Sequence, residues 1–206
     1  MIDPSDQSFW DTRFATEEYV FGEAPNGFLA RQAPLLRPGM RALAVADGEG
    51  RNGVWLAQQG LDVLSIDFSP HALAKAQRLA DRNGVAIATR EVDLLAWQWP
   101  HAAFDVVAAI FIQFTGPADR AAMFAGMKQA LRPGGLMLLE GYRPEQLAYG
   151  TGGPKQVENL YTEAMLREAF ADFTIESLQS YDAELDEGPG HAGMSAVIDL
   201  VARKPL

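Results

Sequence analysis

The chain has 206 residues, 48% of them hydrophobic, and a formal net charge of −10. That length suits one domain with a full core, and the acidic balance opposes a nucleic-acid partner, whose phosphates need a basic face. Cysteine is absent, which excludes a disulfide framework, a thiolate nucleophile and a cysteine zinc site.

The N-terminal residues Ile2-Asp3-Pro4-Ser5-Asp6 are acidic and lack the basic flank and apolar core of a signal peptide. No apolar run approaches the roughly 20 residues of a membrane span. The expectation is a soluble, cytoplasmic protein with no membrane partner. Trp10, Arg13, Tyr19 and Phe21 form an aromatic and basic set within residues 1–39, read either as a packed helix or as a lid that keeps water from a site. Residues 42–46 are a short apolar run, followed by Asp47-Gly48-Glu49-Gly50-Arg51-Asn52-Gly53 and then by Val54-Trp55-Leu56-Ala57. Strand, glycine turn and helix in that order build a cradle of free backbone amides at a helix N-terminus. Glycine suits such a turn because a Cβ would block close approach and disfavour left-handed dihedrals.

Residues 61–67 form the next strand and end on Asp67, an acid placed to grip a ribose diol. Gly48-x-Gly50-x-x-Gly53 with an acid roughly 20 residues on matches the dinucleotide fingerprint literally. The pattern predicts an adenosine-type cofactor, and the match by itself does not say which. Ser69 caps and Pro70 starts a helix that Asn83-Gly84 stops. Residues 104–112 form another apolar strand. Pro117 opens a helix with Met123, Met127 and Leu131 on one face, and Arg132-Pro133-Gly134-Gly135 breaks it. Residues 136–139 are again strand-like. Continuous apolar strands alternating with helices predict a doubly wound α/β fold with a mostly parallel sheet. After a helix over 162–171 come strands 173–181 and 195–203. The turn-rich segment Glu187-Gly188-Pro189-Gly190-His191-Ala192-Gly193 is too short for a crossover helix, so these strands should pair antiparallel.

Taken together, the glycine turn, Asp67, Val92-Asp93-Leu94, Phe104-Asp105-Val106-Val107, Leu131-Arg132-Pro133-Gly134-Gly135 and the terminal hairpin resemble the class I S-adenosylmethionine-dependent methyltransferases over residues 40–203. The Gly-Arg-Asn run, with Phe9-Trp10-Asp11-Thr12-Arg13-Phe14, looks most like the branch of tellurite-resistance, thiopurine and small-thiol enzymes. The resemblance implies a Rossmann-like seven-stranded sheet whose C-terminal strand is antiparallel. It also implies one domain, 1–206, in which 1–39 covers the cofactor and 40–206 carries the sheet. Its glycine motif usually has an early acid and a further leading glycine, where this chain has Ala44 and Ala46. Asp47 stands where a small residue or cysteine is common. Two readings of it stay open: Asp47 supplies the missing charge, or backbone carbonyls hold the methionine ammonium.

By resemblance, S-adenosylmethionine would be held by Trp10, Arg13, Asp47, Gly48, Gly50, Asn52, Asp67, Phe68, Asp93, Leu94 and Ile110. Asp67 would accept from the ribose hydroxyls, or else only cap the following helix. Asp93 and Leu94 would meet adenine, and Phe68 would pack on its face or lie in the core. His191, Tyr142 and Arg143 fall at the carboxyl end of the sheet, where ligands bind, and are the catalytic candidates; Gln113 and Phe114 reach the same end. Trp97 and Trp99 are expected to cover the core edge, and His71 and His101 to be solvated or in a loop. The expected partner is a small-molecule methyl acceptor. A nicotinamide oxidoreductase and a non-catalytic S-adenosylmethionine-binding module are the competing readings.

Overall fold

The computed structural model describes residues 7–206; the part of the N-terminal segment before Gln7, and the reading made of it, lie outside the described residues. In chain order the elements are α1 (Gln7–Phe14), α2 (Gly27–Arg31), β1 (Arg41–Val45), α3 (Arg51–Gln58), β2 (Asp62–Asp67), α4 (Pro70–Arg82) and β3 (Ala88–Glu91). They continue with β4 (Phe104–Ile110), α5 (Pro117–Ala130), β5 (Leu131–Tyr142), α6 (Gln146–Tyr149), α7 (Glu163–Ala169), β6 (Thr174–Asp186) and β7 (Ala192–Arg203). The sheet order is β3-β2-β1-β4-β5-β7-β6. Neighbours from β3 to β5 run parallel, whereas β7 is antiparallel to both β5 and β6. The α/β fold with its seven-stranded, mostly parallel sheet is therefore the one expected.

Strand alternation divides the core between two faces. Ala42 packs with Val54, Leu56, Val63, Ala76 and Leu79 beneath α3 and α4. Its neighbour Leu43 packs on the other side with Ile66, Val107, Met123, Met127 and Leu139 beneath α5. Helices on both faces explain why the inner strands read as continuous apolar runs. Helix ends follow the sequence signals: Ser69 Oγ accepts from the Ala72 amide, Pro70 opens α4, and the Thr162 side chain accepts from the Met165 amide at the start of α7.

Some boundaries differ from the sequence reading. β4 stops at Ile110 and not at 112, because Phe111 has φ 56°, a left-handed conformation that ends a strand. The Arg132–Gly135 stretch does end α5, yet β5 runs through it, with a register shift against β4 between Phe104 and Val106. β6 and β7 extend further toward their turn than 181 and 195. Among the described residues no helix is long and apolar enough to cross a membrane.

Candidate active site

At the carboxyl ends of β1, β2 and β4 the chain leaves a cleft roofed by the N-terminal segment. Its walls carry Trp10, Phe14 and Phe21 from that segment, Asp47, Gly48, Arg51 and Asn52 from the glycine turn, and Asp67 and Phe68 after β2. Asp93, Leu94, Ile110, Phe111, Phe114 and His191 complete it. Nine of the eleven residues anticipated for the cofactor thus line one cavity: Trp10, Asp47, Gly48, Asn52, Asp67, Phe68, Asp93, Leu94 and Ile110.

The turn between β1 and α3 is shaped by backbone constraint. Ala46, Gly48 and Gly50 all have positive φ (47°, 58° and 87°), so Ala46 accepts at a strained angle what glycine adopts freely. Asp47 is buried, and its carboxylate accepts from the Gly53 amide at 3.1 Å and from Ser65 Oγ at 2.8 Å. Burial raises its pKa to about 7, against the lowering by Ser65 and Gly53. Of the two open readings, neither is needed to explain Asp47: it ties the turn to α3 and β2. Asn52 Oδ1 accepts from the Asn26 amide at 2.9 Å and so fixes the start of α2 to the turn.

Asp67 reaches the cavity with one oxygen bonded to the Gly48 amide at 2.8 Å and the other to the Ser69 amide at 2.9 Å. Burial raises its pKa, and those amide bonds work in the opposite direction. Each carboxylate oxygen has a second lone pair, and the residue lines the cavity, so it can accept from both hydroxyls of a vicinal diol. Asp93 Oδ1 accepts from the Leu95 amide at 2.9 Å, and Trp99 Nε1 donates to the Leu94 carbonyl at 3.3 Å. Trp97 and Trp99 pack together against the core edge, as expected of them, and steady the Asp93 loop.

The inner end of the cavity is aromatic. His191 has ring contacts with Phe21 at 4.5 Å and Phe111 at 4.4 Å, and its Nδ1 lies 3.4 Å from Tyr142 Oη. Burial first, and the nearby Arg51 and Arg13 guanidinium groups second, lower the His191 pKa to about 3. It is therefore a neutral imidazole. Tyr142 stacks on Phe111 at 4.6 Å, and burial raises its phenol pKa. It stands behind His191 and not on the cavity wall.

The roof is clamped at both ends. Lys75 Nζ donates to Glu49 Oε1 and to the Glu18 carbonyl, each at 2.6 Å, while Tyr19 Oη donates to the Lys75 carbonyl at 3.0 Å. The Phe21 amide donates to Glu49 Oε2 at 3.3 Å, and the Gly190 amide to the Val20 carbonyl at 2.9 Å. Residues 18–22 thus bridge the glycine turn and the β6–β7 turn.

Besides Tyr142, three anticipated site residues lie off the cavity wall. Arg143 turns outward to Asp182 and Glu145; its place after β5 put it at the correct end of the sheet, but those two carboxylates draw the guanidinium to the surface. Gly50 does not face the cavity: a Cβ there would lie 2.5 Å from that of Ala76, so it serves the contact of α3 with α4. Arg13 sits behind the wall, over the Trp10 and Phe21 rings at 5.7 and 5.1 Å. Gln113 bonds the Tyr142 and Asn159 carbonyls and is structural, whereas Phe114 does line the cavity. His71 pairs with Asp11 at 2.7 Å, and His101 borders a separate surface groove.

Comparison with known proteins agrees with this geometry. Residues 42–135 match the model of a methyltransferase domain. A thiopurine S-methyltransferase of Pseudomonas putida is 27% identical over 219 aligned positions, covering 95% of this chain and 97% of that protein. The N-methyltransferase NodS of Bradyrhizobium japonicum, in complex with S-adenosyl-L-homocysteine, superposes with a TM-score of 0.74 at 15% identity, covering 99% and 100% of the two chains. The chain thus carries a methyltransferase-domain match and has the fold of the class I S-adenosylmethionine-dependent methyltransferases.

The cofactor indicated by the methyltransferase-domain match is S-adenosylmethionine, and the residues present fit it: a diol acceptor in Asp67, a polar loop at Asp93 and Leu94, and a glycine turn open to close approach. A demethylmenaquinone methyltransferase of Thermus thermophilus is 35% identical over 113 residues, or 53% of this chain. The chain spans about half the length, or less, of the first curated relatives it matches. Sequence reasoning gave no role to Phe111 or Arg51 on the cavity wall. A cation at the first position of a helix, Arg51 in the Gly-Arg-Asn run, was the signal for one; Phe111 carried none, since its backbone angle is not encoded by residue type.

Proposed function

We propose that this chain transfers the methyl group of S-adenosylmethionine to a small acceptor that arrives already ionised, a thiolate or a chalcogen oxyanion. When bound, the cofactor supplies an activated methyl on a sulfonium, with its own leaving group. The protein's part is to hold two reactants in line and exclude water, which accounts for up to roughly 7–11 kcal/mol of barrier lowering. Asp67 would hold the ribose, Asp93 and Leu94 the base, and the roof from Trp10 to Phe21 would keep the cavity dry. Nucleophile attack on the methyl carbon leaves S-adenosylhomocysteine and a methylated acceptor.

The observation that carries the acceptor class is the neutral His191 at the inner end, caged by Phe21, Phe111 and Tyr142, with its pKa near 3. A general base works best with a pKa near the operating pH, and this imidazole is far too weak. The full-length relationship to a thiopurine S-methyltransferase supports a sulfur acceptor.

Calorimetry with S-adenosylhomocysteine and with NAD tests the cofactor half, and uptake of NAD in preference would overturn it. Asp67→Ala should weaken S-adenosylhomocysteine by more than about 1 kcal/mol, as loss of bonds to an ionised acceptor requires. A product-release assay across thiols, selenite, phenols and amines tests the rest. Preference for a neutral amine or un-ionised phenol would refute the acceptor class.

A further inference from the structure

We infer that Arg51 recognises a negatively charged group on the methyl acceptor, an assignment that rests on the methyl-transfer reading above. Arg51 is the first residue of α3 and lines the cavity, yet only 6% of it is exposed. A helix N-terminus carries partial positive charge and disfavours a cation, and burial of a guanidinium adds a desolvation cost. One carboxylate answers it: Nη2 bonds Glu187 Oε2 at 2.7 Å. Nη1 is buried with no partner. A buried donor left unbonded is costly, and on a guanidinium the natural complement is an anionic oxygen or sulfur.

Glu187 is itself held, accepting from Asn26 Nδ2 and from the Gly27 amide, each at 3.0 Å. Arg51 is thereby held in one orientation, with Nη2 bonded to Glu187 and Nη1 left unbonded on a residue that lines the cavity. The choice of the acceptor over the cofactor's own carboxylate follows from position. Asp67 and Asp93 follow β2 and β3 at one side of the sheet, whereas Arg51 is tied to the β6–β7 turn that carries His191 at the other. The guanidinium therefore flanks the neutral imidazole, on the side away from sugar and base.

The test uses the full chain saturated with S-adenosylhomocysteine and needs no turnover. Selenite and 2-mercaptobenzoate are titrated into the complex by calorimetry. Wild type should bind at least one of them saturably, Arg51→Met should weaken that binding at least about tenfold, and Arg51→Lys should lie between, as loss of one charge-assisted bond predicts. Because Arg51→Met strands Glu187, the double variant Arg51→Met/Glu187→Gln is measured beside it, with thermal melts confirming a folded chain. S-Adenosylhomocysteine and 5′-methylthioadenosine, which lacks the amino-acid carboxylate, should bind all folded variants within about twofold of wild type, well under one lost bond. Weakening of the former alone would assign Arg51 to the cofactor and overturn the inference. So would anion binding that is absent in wild type or unchanged in Arg51→Met. Failure of wild type to bind S-adenosylhomocysteine at all would instead sink the underlying methyl-transfer reading, and appears in the first titration.

Discussion

At His191 burial among three aromatic rings, and after it two nearby guanidinium groups, disfavour protonation of one imidazole. A group that stays neutral throughout the range in which the enzyme works cannot impose an inflection on a pH–rate profile there. The apparent pKa of kcat/KM should then follow the acceptor: a thiol of lower pKa should reach its plateau at lower pH. His191→Gln should hold kcat/KM within about tenfold of wild type, because removal of a working general base costs roughly 10²–10⁴. A larger loss with a pre-ionised thiolate, or an enzyme inflection near pH 6–7 common to every acceptor and abolished in His191→Gln, would restore His191 as the base. Asp47 marks what residue type alone does not tell. It lines the cavity as expected, and its carboxylate also accepts from the Gly53 amide and the Ser65 hydroxyl, the latter on a different strand.

Among the elements, the roof over the cavity depends on a buried ion pair. Lys75 on α4 and Glu49 in the glycine turn are each about 2% exposed in their side chains and 2.6 Å apart. Removing one partner of such a pair strands the other charge, at a cost of about 3–5 kcal/mol. Lys75→Met should therefore lower unfolding stability by about 3 kcal/mol, and Lys75→Met/Glu49→Gln should recover part of it. Chemical denaturation decides this, and a loss under about 1 kcal/mol would mean that the turn is held without the pair. The elements differ in how plainly the sequence announced them. β1, the glycine turn, β2 and α4 were legible because caps, glycines and apolar runs are local signals. β3 was not, since Ala88-Thr89-Arg90-Glu91 is a short edge strand with little buried surface and reads like loop. β6 was legible only in part: its residues are half-buried or exposed and none is fully buried, and their alternation breaks in mid-strand. The Arg51–Glu187 pair joins the glycine turn to the β6–β7 turn, a contact that only the assembled sheet creates.

Across the whole molecule, the parallel half of the sheet meets its antiparallel end at β5 and β7, where Glu140 lies directly opposite Asp199. Both are buried. Burial and the neighbouring Asp199 raise the Glu140 pKa well above the usual carboxylate range, with Glu187 adding to the effect and Asn26 opposing it. Burial raises the Asp199 pKa as well, but Arg31 at 3.0 Å and Tyr181 Oη at 2.8 Å oppose that, so Glu140, which has no cation of its own among the described residues, is the member that keeps a proton. Asn26 Nδ2 donates to Glu140 Oε2, which links the α2 cap, and with it Asn52 of the cavity wall, to this pair. The linkage sign follows from the direction of the shift. A carboxyl whose folded pKa is raised binds more protons folded than unfolded, so its contribution is full below the unfolded value of about 4.3 and is lost as pH rises through the folded pKa. Glutamine copies the protonated form, with an oxygen for Asn26 and an NH₂ for Asp199. Glu140→Gln should melt near the wild-type temperature at pH 4.5 and increasingly above it from pH 6 to 8. A variant less stable than wild type at pH 8 would show that Glu140 is ionised in the folded protein, and that Arg31 is shared across both carboxylates.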